Sequence, residues 1–157
     1  PVRRVSKGDS LETTGGRIEV LHPPASASDL SDNDAAIVLR LDFAPGTVLL
    51  PADIETAGEM GLVDAGLNKV DILKVPHHGS HTSSSQRFID ATRPVCAVVS
   101  TGGRTGREPV HPTVLGRYEA TGIRLLRTDY LGGIRMRYED GKFTLEAARR
   151  RRGYVCP

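Results

Sequence analysis

The residues best suited to chemistry fall just beyond apolar runs. Asp53 comes three residues after TVLL, His77, His78 and His81 follow VDILKV, and His111 lies past the loop after VCAVVS. Three successive runs thereby deliver an acid, a histidine cluster and a further histidine to what reads as one rim. Neutral imidazoles and a carboxylate suit zinc or manganese, and a carboxylate with two free oxygens can bridge two ions. A pair of such ions clamps the oxygens of a phosphodiester and supplies hydroxide at neutral pH. The same residues have simpler uses as well. Asp53 is a good helix N-cap, His77 and His78 can be loop histidines bonded to backbone, and His111 precedes a proline at an ordinary helix start.

The elements that must position them alternate along the chain. RIEVL (17–21) reads as a strand introduced by Gly15-Gly16 and ended by Pro23-Pro24, and residues 25–34 as a surface loop. AAIVLRLDF and TVLLP, joined at Pro45-Gly46, form a hairpin of interior strands. Residues 53–65 then make a helix with Asp53 at its mouth, Glu55 and Glu59 toward its positive end, and Gly66 as C-cap. The strand VDILKV (70–75) runs into Pro76, and Ser83, Ser84 and Ser85 cap a helix through about Thr92. VCAVVS (95–100) is a strand followed by a glycine and arginine loop, Pro112 opens a helix to about Ala120, and IRLLRT (123–128) is the next strand. GIRMRYE and KFTLEA, separated by Asp140-Gly141, make a second hairpin with one solvated face. This is an α/β pattern with antiparallel pieces at both ends, and its chemistry belongs at the C-terminal ends of the strands.

Composition sets bounds without naming a function. At 157 residues and 38% hydrophobic content, the chain suits one soluble domain and excludes disordered, collagenous and coiled-coil classes. No run approaches the roughly 18 apolar residues of a spanning helix, and the polar opening PVRRVSKGDS lacks a signal-peptide core. A first residue other than Met suggests a piece of something longer. The net charge of +2 does not announce nucleic-acid binding. The excess is local, in a basic tail (149–157) whose run Arg149 to Arg152 can lie near phosphate or simply be solvated. Cys96, in an apolar run, reads as a buried small hydrophobe and Cys156 as a loose end, so no disulfide is expected.

Longer stretches are more specific. VLLPADIE, DILKVPHHGSHTSSS, RPVCAVVSTG and VHPTVLGRYEATGIRLLRTDYLGGI resemble, in this order, the C-terminal metallo-β-lactamase-like domain of ComEC-type competence proteins. VLHPP and NDAAIVLRL extend the likeness upstream, over roughly residues 17–135, and PHHGS followed by T-S-S is its most specific element. The resemblance implies that residues 1–148 are the C-terminal half of an αββα sandwich, a mixed sheet with flanking helices. It also implies a membrane-anchored parent acting on DNA during uptake, with this domain on the extracytoplasmic side and a divalent metal, zinc or manganese, in the complete domain. Carried over by residue, Asp53 becomes the bridging metal ligand and His78 a second ligand. His77 becomes a proton donor to the leaving oxygen or a support for the ligands, and His111 a ligand or phosphate contact. Ser80 would orient a histidine or bind phosphate, and His22 is structural.

Two departures qualify the resemblance. Pro51-Ala52-Asp53 stands where the family reads T-G-D, so an alanine either shifts Asp53 or tightens the turn. The fold's principal ligand motif, H-x-H-x-D-H, is absent. The chain alone is therefore expected to bind little metal and to turn over little or no substrate. A non-catalytic DNA- or partner-binding module and a small-ester metallohydrolase remain alternatives. Half a sandwich also predicts that VLL, VDIL and VCAVV lie exposed, to be covered by the missing N-terminal half or by self-association.

Overall fold

A computed structural model describes residues 2, 4–26, 28–44, 46–102 and 109–149, together with the backbone of 153–156. Strands β1 (Ser10–Thr13), β2 (Gly16–His22), β3 (Val38–Phe43) and β4 (Gly46–Leu50) form an antiparallel meander. Strands β5 (Ile72–Lys74), β6 (Cys96–Val99) and β7 (Arg124–Arg127) then add in parallel, giving one seven-stranded sheet in sequential order. Helices α1 (Thr56–Asp64), α2 (Gln86–Thr92) and α3 (Pro112–Thr121) occupy the crossovers, and the short α4 (Thr128–Leu131) follows β7. Strands β8 (Ile134–Glu139), β9 (Lys142–Ala147) and β10 (Gly153–Cys156) make a second, antiparallel sheet. The expected α/β class, mixed sheet and flanking helices are all present, as in half of an αββα sandwich. The short strand β1, helix α4 and strand β10 are additions to the elements read from sequence. The glycine and arginine loop after β6 falls largely in 103–108, outside the described residues.

The winding explains the layers. Three successive parallel crossovers advance in one direction, and right-handed connections then stack their helices on one face of the sheet. Successive side chains of a strand point to opposite faces. Leu49, Leu73, Ala97 and Val99 accordingly pack with Ile54, Phe88, Ile89, Val114 and Tyr118 on the helical side. Val48, Ile72, Cys96 and Leu126 meet Phe143, Leu145 and Ala147 of β9 on the other.

That second contact corrects the expectation of a bare inner face. Val48, Ile72 and Cys96 are each at most 3% exposed, because the apolar side of the C-terminal hairpin folds back over them. Burial of Phe143 and Leu145 contributes about 2 kcal/mol each. The cover is incomplete. Leu50 remains 37% and Leu11 61% exposed on the strands beyond the hairpin.

A second correction concerns the cysteines. Cys96 is disulfide-bonded. The C-terminal segment is also a strand rather than a loose end, with Cys156 paired opposite Phe143, a residue of the cluster that contains Cys96. Reduction of this disulfide is expected to lower the unfolding free energy by about 3 kcal/mol. Urea midpoints with and without reductant measure this, and coincident curves would deny the bond a stabilising role. Within the arginine run, Arg149 donates to the Asp129 carbonyl at 2.9 Å, and 150–152 lie outside the described residues. Among the described residues no helix is long and apolar enough to cross a membrane.

Candidate active site

Strands β4, β5 and β6 run parallel, so their C-terminal ends share one edge of the sheet. The turn after β4 places Ala52 in the left-handed region at φ 52° and presents Asp53. The turn after β5 is more contorted, with His77, His78 and Gly79 at φ 43°, 54° and 81° in succession. A left-handed non-glycine residue is strained by about 1–2 kcal/mol. Such strain persists only where the surroundings over-determine the backbone. Here the His77 N–H donates to the Ala52 carbonyl (3.0 Å), the Ser80 N–H to the His77 carbonyl (2.8 Å), and the Ser83 hydroxyl to the Pro76 and Ser80 carbonyls (both 3.0 Å). The outcome is that His78 Nε2 stands 3.6 Å from Asp53 Oδ1, while His78 Nδ1 bonds the Ser100 carbonyl oxygen at 2.7 Å. One imidazole thereby joins three strand ends.

The other expected residues occupy distinct places. His77 Nδ1 lies 3.3 Å from Glu55 Oε1, an oxygen that also accepts from Thr82 Oγ1 (2.8 Å) and Asn33 Nδ2 (3.3 Å). The Ser80 hydroxyl is bonded to that of Thr82 at 3.1 Å, so it belongs to the same polar chain. His111 is fastened to the PHHGS turn through its N–H, which donates to the Gly79 carbonyl (2.9 Å). Its ring packs 5.5 Å from that of His81 and N-caps α3 by accepting the Thr113 N–H at 3.3 Å. Among the described residues no three His, Cys, Asp or Glu side chains converge to hold a metal ion. Asp53 and His78 are donors of the right kind for zinc or manganese, but two donors amount to part of a site.

Sequence reasoning placed the helix cap wrongly. Asp53 does not cap α1: the N-cap position is Glu55, whose own side chain makes no cap bond. The buried Asp34 does so from outside, its Oδ1 accepting the N–H groups of Glu55 (2.8 Å) and Gly58 (3.0 Å). Its own carbonyl is bonded by the buried His22 ring, which is therefore structural as expected. Glu55, Thr82 and Ser100 also went unread as site residues. The only local hint was a second carboxylate two positions after Asp53.

Several bacterial proteins share the segment that builds this rim. The chain is 34% identical over 140 residues to ComE operon protein 3 of Bacillus subtilis, an alignment covering 88% of the chain and 18% of that protein. It is 38% identical over 115 residues to competence protein ComA of Neisseria gonorrhoeae (71% and 16% covered). It is 29% identical over 126 residues to recombination protein 2 of Haemophilus influenzae (80% and 16%). This chain is a relative of ComEC-type competence proteins. It spans less than a fifth of the length of those relatives. No family profile matches it.

In this competence-type segment the serine run after the histidines serves shape. Ser84 is left-handed at φ 55°, and the Ser84 and Ser85 N–H groups both donate to the fully buried carboxylate of Glu59, the latter at 2.8 Å. Arg117 donates to the Ser83 and Ser84 carbonyls (3.3 and 2.8 Å), and Ser85 N-caps α2. Burial pushes the Glu59 carboxyl above its ordinary value, against the opposing pull of the Ser85 and Ser84 hydrogen bonds and of Arg117. Burial likewise raises the Tyr118 hydroxyl, which donates to Ser84 Oγ at 3.4 Å.

Glu59→Gln replaces one accepting oxygen with an amide, leaving a buried N–H unsatisfied. We expect a loss of about 2 kcal/mol near pH 5. The native state holds the Glu59 proton more tightly than the unfolded chain does, so this contribution is complete below about 4.5 and is lost as pH rises through the folded value. The gap between wild type and Glu59→Gln should therefore narrow from pH 5 to pH 8. Urea midpoints across that range decide it, and a gap that widens with pH contradicts the assignment.

Ala52 shows how this segment tolerates its departure from T-G-D. The turn is kept with a left-handed alanine, and Asp53 still reaches His78. Ala52→Gly is expected to stabilise the fold by about 0.5–1 kcal/mol, the relief exceeding the entropy that glycine adds to the unfolded chain. An unchanged or lower melting temperature would show that the turn is not under strain.

Proposed function

We propose that this chain is the C-terminal half of a metallo-β-lactamase-like domain in a membrane-anchored competence protein, and that the whole domain is a metal-dependent phosphodiesterase acting on DNA during uptake. The observation that carries this reading is the Asp53–His78 pair at adjacent parallel strand ends. With its Nδ1–H committed to the Ser100 carbonyl, His78 keeps the Nε2 lone pair on the side of Asp53, the support that metal-binding imidazoles commonly have. Asp53 and His78 would hold a divalent ion, zinc or manganese, with the remaining donors supplied by the other half of the domain. When bound, such ions polarise a phosphodiester and lower the pKa of water. His77, held beside Glu55, would hand a proton to the leaving oxygen, and Thr82 with Ser80 keeps that carboxylate in position. His111 joins the rim through Gly79 as a further ligand or a phosphate contact.

The sheet supports the missing half as partner. The pairings Leu11↔Ile18, Ile18↔Leu41, Leu41↔Val48 and Leu39↔Leu50 put an apolar strip on the same face as Val48; Leu41 still packs against the cluster of the hairpin, while Leu11 and Leu50 remain exposed. The preceding half of the domain would cover that strip, and its absence favours self-association of the chain alone, read by sedimentation. The disulfide of Cys96 supports an oxidising, extracytoplasmic setting.

A nuclease assay on a full-length competence protein carrying these residues, with added manganese or zinc, tests the function. DNA cleavage with metal and none with chelator is expected, and the isolated chain should show little. The short donor set favours a second reading, a DNA- or partner-binding module without catalysis. Absence of H-x-H-x-D-H from the preceding residues, together with DNA binding without cleavage, would establish that reading instead. Cleavage confined to small esters would move the substrate class.

A further inference from the structure

We propose that His111 serves this site as an N–H donor to a phosphate oxygen and not as a metal ligand. The assignment deepens the phosphodiesterase reading and rests on it for the ligand's chemistry. A neutral imidazole carries one N–H and one lone pair, so a partner that can only accept or only donate at one nitrogen settles what the other offers. His78 Nδ1 faces the Ser100 carbonyl at 2.7 Å, a group that only accepts. Its Nδ1 carries the hydrogen and its Nε2 offers a lone pair. His111 has the opposite arrangement. Its Nδ1 accepts from the Thr113 amide at 3.3 Å, a group that only donates, so Nδ1 keeps the lone pair and Nε2 carries the hydrogen.

For His111 to bind a metal through Nε2 as a neutral imidazole, that hydrogen must move to Nδ1, and the Thr113 bond that caps α3 must break. Binding through Nδ1 breaks the cap directly. The backbone resists both, since the His111 N–H is tied to the Gly79 carbonyl and Pro112 fixes the first residue of α3. The ring is instead held exposed beside the imidazole of His81, also exposed, on the turn that carries His78. A hydrogen-bond donor anchored to the metal-binding turn suits the anionic oxygen of a nucleotide backbone or of free phosphate.

Long-range 1H–15N spectra of the 15N-labelled, metal-free chain at pH 8 test the proposal. A pyridine-type Nε2 is expected at His78 and a pyrrole-type Nε2 at His111, and a pyridine-type Nε2 at His111 overturns it. In a zinc titration of the same chain, His78→Gln should weaken binding by at least about tenfold. His111→Gln keeps an N–H at similar reach and should alter zinc binding less than about twofold, so a loss equal to that of His78→Gln also overturns the proposal. Inorganic phosphate and a short oligothymidylate are then added separately. A His111 shift with either supports the donor role, phosphate alone indicating a free-anion site and the oligonucleotide alone a backbone contact. A shift with neither refutes it. If zinc does not bind measurably to the wild-type chain, as a set of two donors allows, the His111 assignment is decided by the metal-free spectrum and the anion titrations.

Discussion

Asp53→Ala is expected to reduce metal-dependent DNA cleavage by roughly a thousandfold in a full-length competence protein carrying these residues, the equivalent of about 4 kcal/mol of transition-state stabilisation. Its carboxylate would touch the ion that polarises the phosphodiester, and His78 Nε2 stands 3.6 Å from it here. The same side chain contributes little to the fold. It is nearly half exposed and does not cap α1, a task that belongs to Asp34. The substitution should therefore leave the melting temperature within about 2 °C of wild type, since a surface change away from caps and core alters stability by only about 0.5 kcal/mol. Rate and stability move apart in this prediction. Undiminished cleavage would remove Asp53 from the chemistry, and a fall in activity matched by unfolding would show only that the turn had failed.

Gly79→Ala should give the largest loss of stability among single substitutions at the rim. Gly79 sits at φ 81°, where a side chain is strained by about 1–2 kcal/mol. A methyl there would also lie 2.6 Å from Val110 Cγ1, inside the buried edge of the core, and relief of such a contact by displacement costs about 1–3 kcal/mol. Together these predict a loss of about 3–4 kcal/mol and a melting temperature lower by roughly 10 °C. The Gly79 carbonyl anchors His111, so displacement also frees the N-terminus of α3. Thermal unfolding measures the first effect, and amide exchange at His111 the second. A variant as stable as wild type would mean that Val110 yields at no cost.

Much of the fold was legible because it rests on local rules. Asp140 and Gly141, at φ 50° and 74°, turn the second hairpin as an Asp-Gly pair is expected to, and Ser85 caps α2 where the serine run predicted a cap. The rim was legible for a topological reason. In a parallel sheet the ends of consecutive strands must share an edge, so Asp53 and the histidines after β5 met there without any knowledge of packing. The apolar periodicity of KFTLEA was also read correctly, but its destination was not. A pattern shows that a face is buried without showing against what, and here Phe143 and Leu145 lie on the sheet face that was expected to stay bare.

What the sequence determined by itself was therefore the type and order of the elements, and the acid and histidines that stand at the strand ends. Propensity, turn chemistry and side-chain period act over a few residues and can be read in one dimension. The tertiary structure decided how those residues are used. Asp34 caps a helix 21 residues away, Glu59 holds the serine run across 25, and Ser100 selects the nitrogen that His78 presents across 22. Each is a hydrogen bond whose partner is chosen by packing, and packing likewise chooses the disulfide at Cys96 and the carbonyl of Gly79 to which the His111 N–H is tied. Asp53 was visible from the first as an acid after a strand. Only the left-handed turns on either side of it set His78 against it, because their strain is borne by contacts between strand ends that lie far apart in the chain.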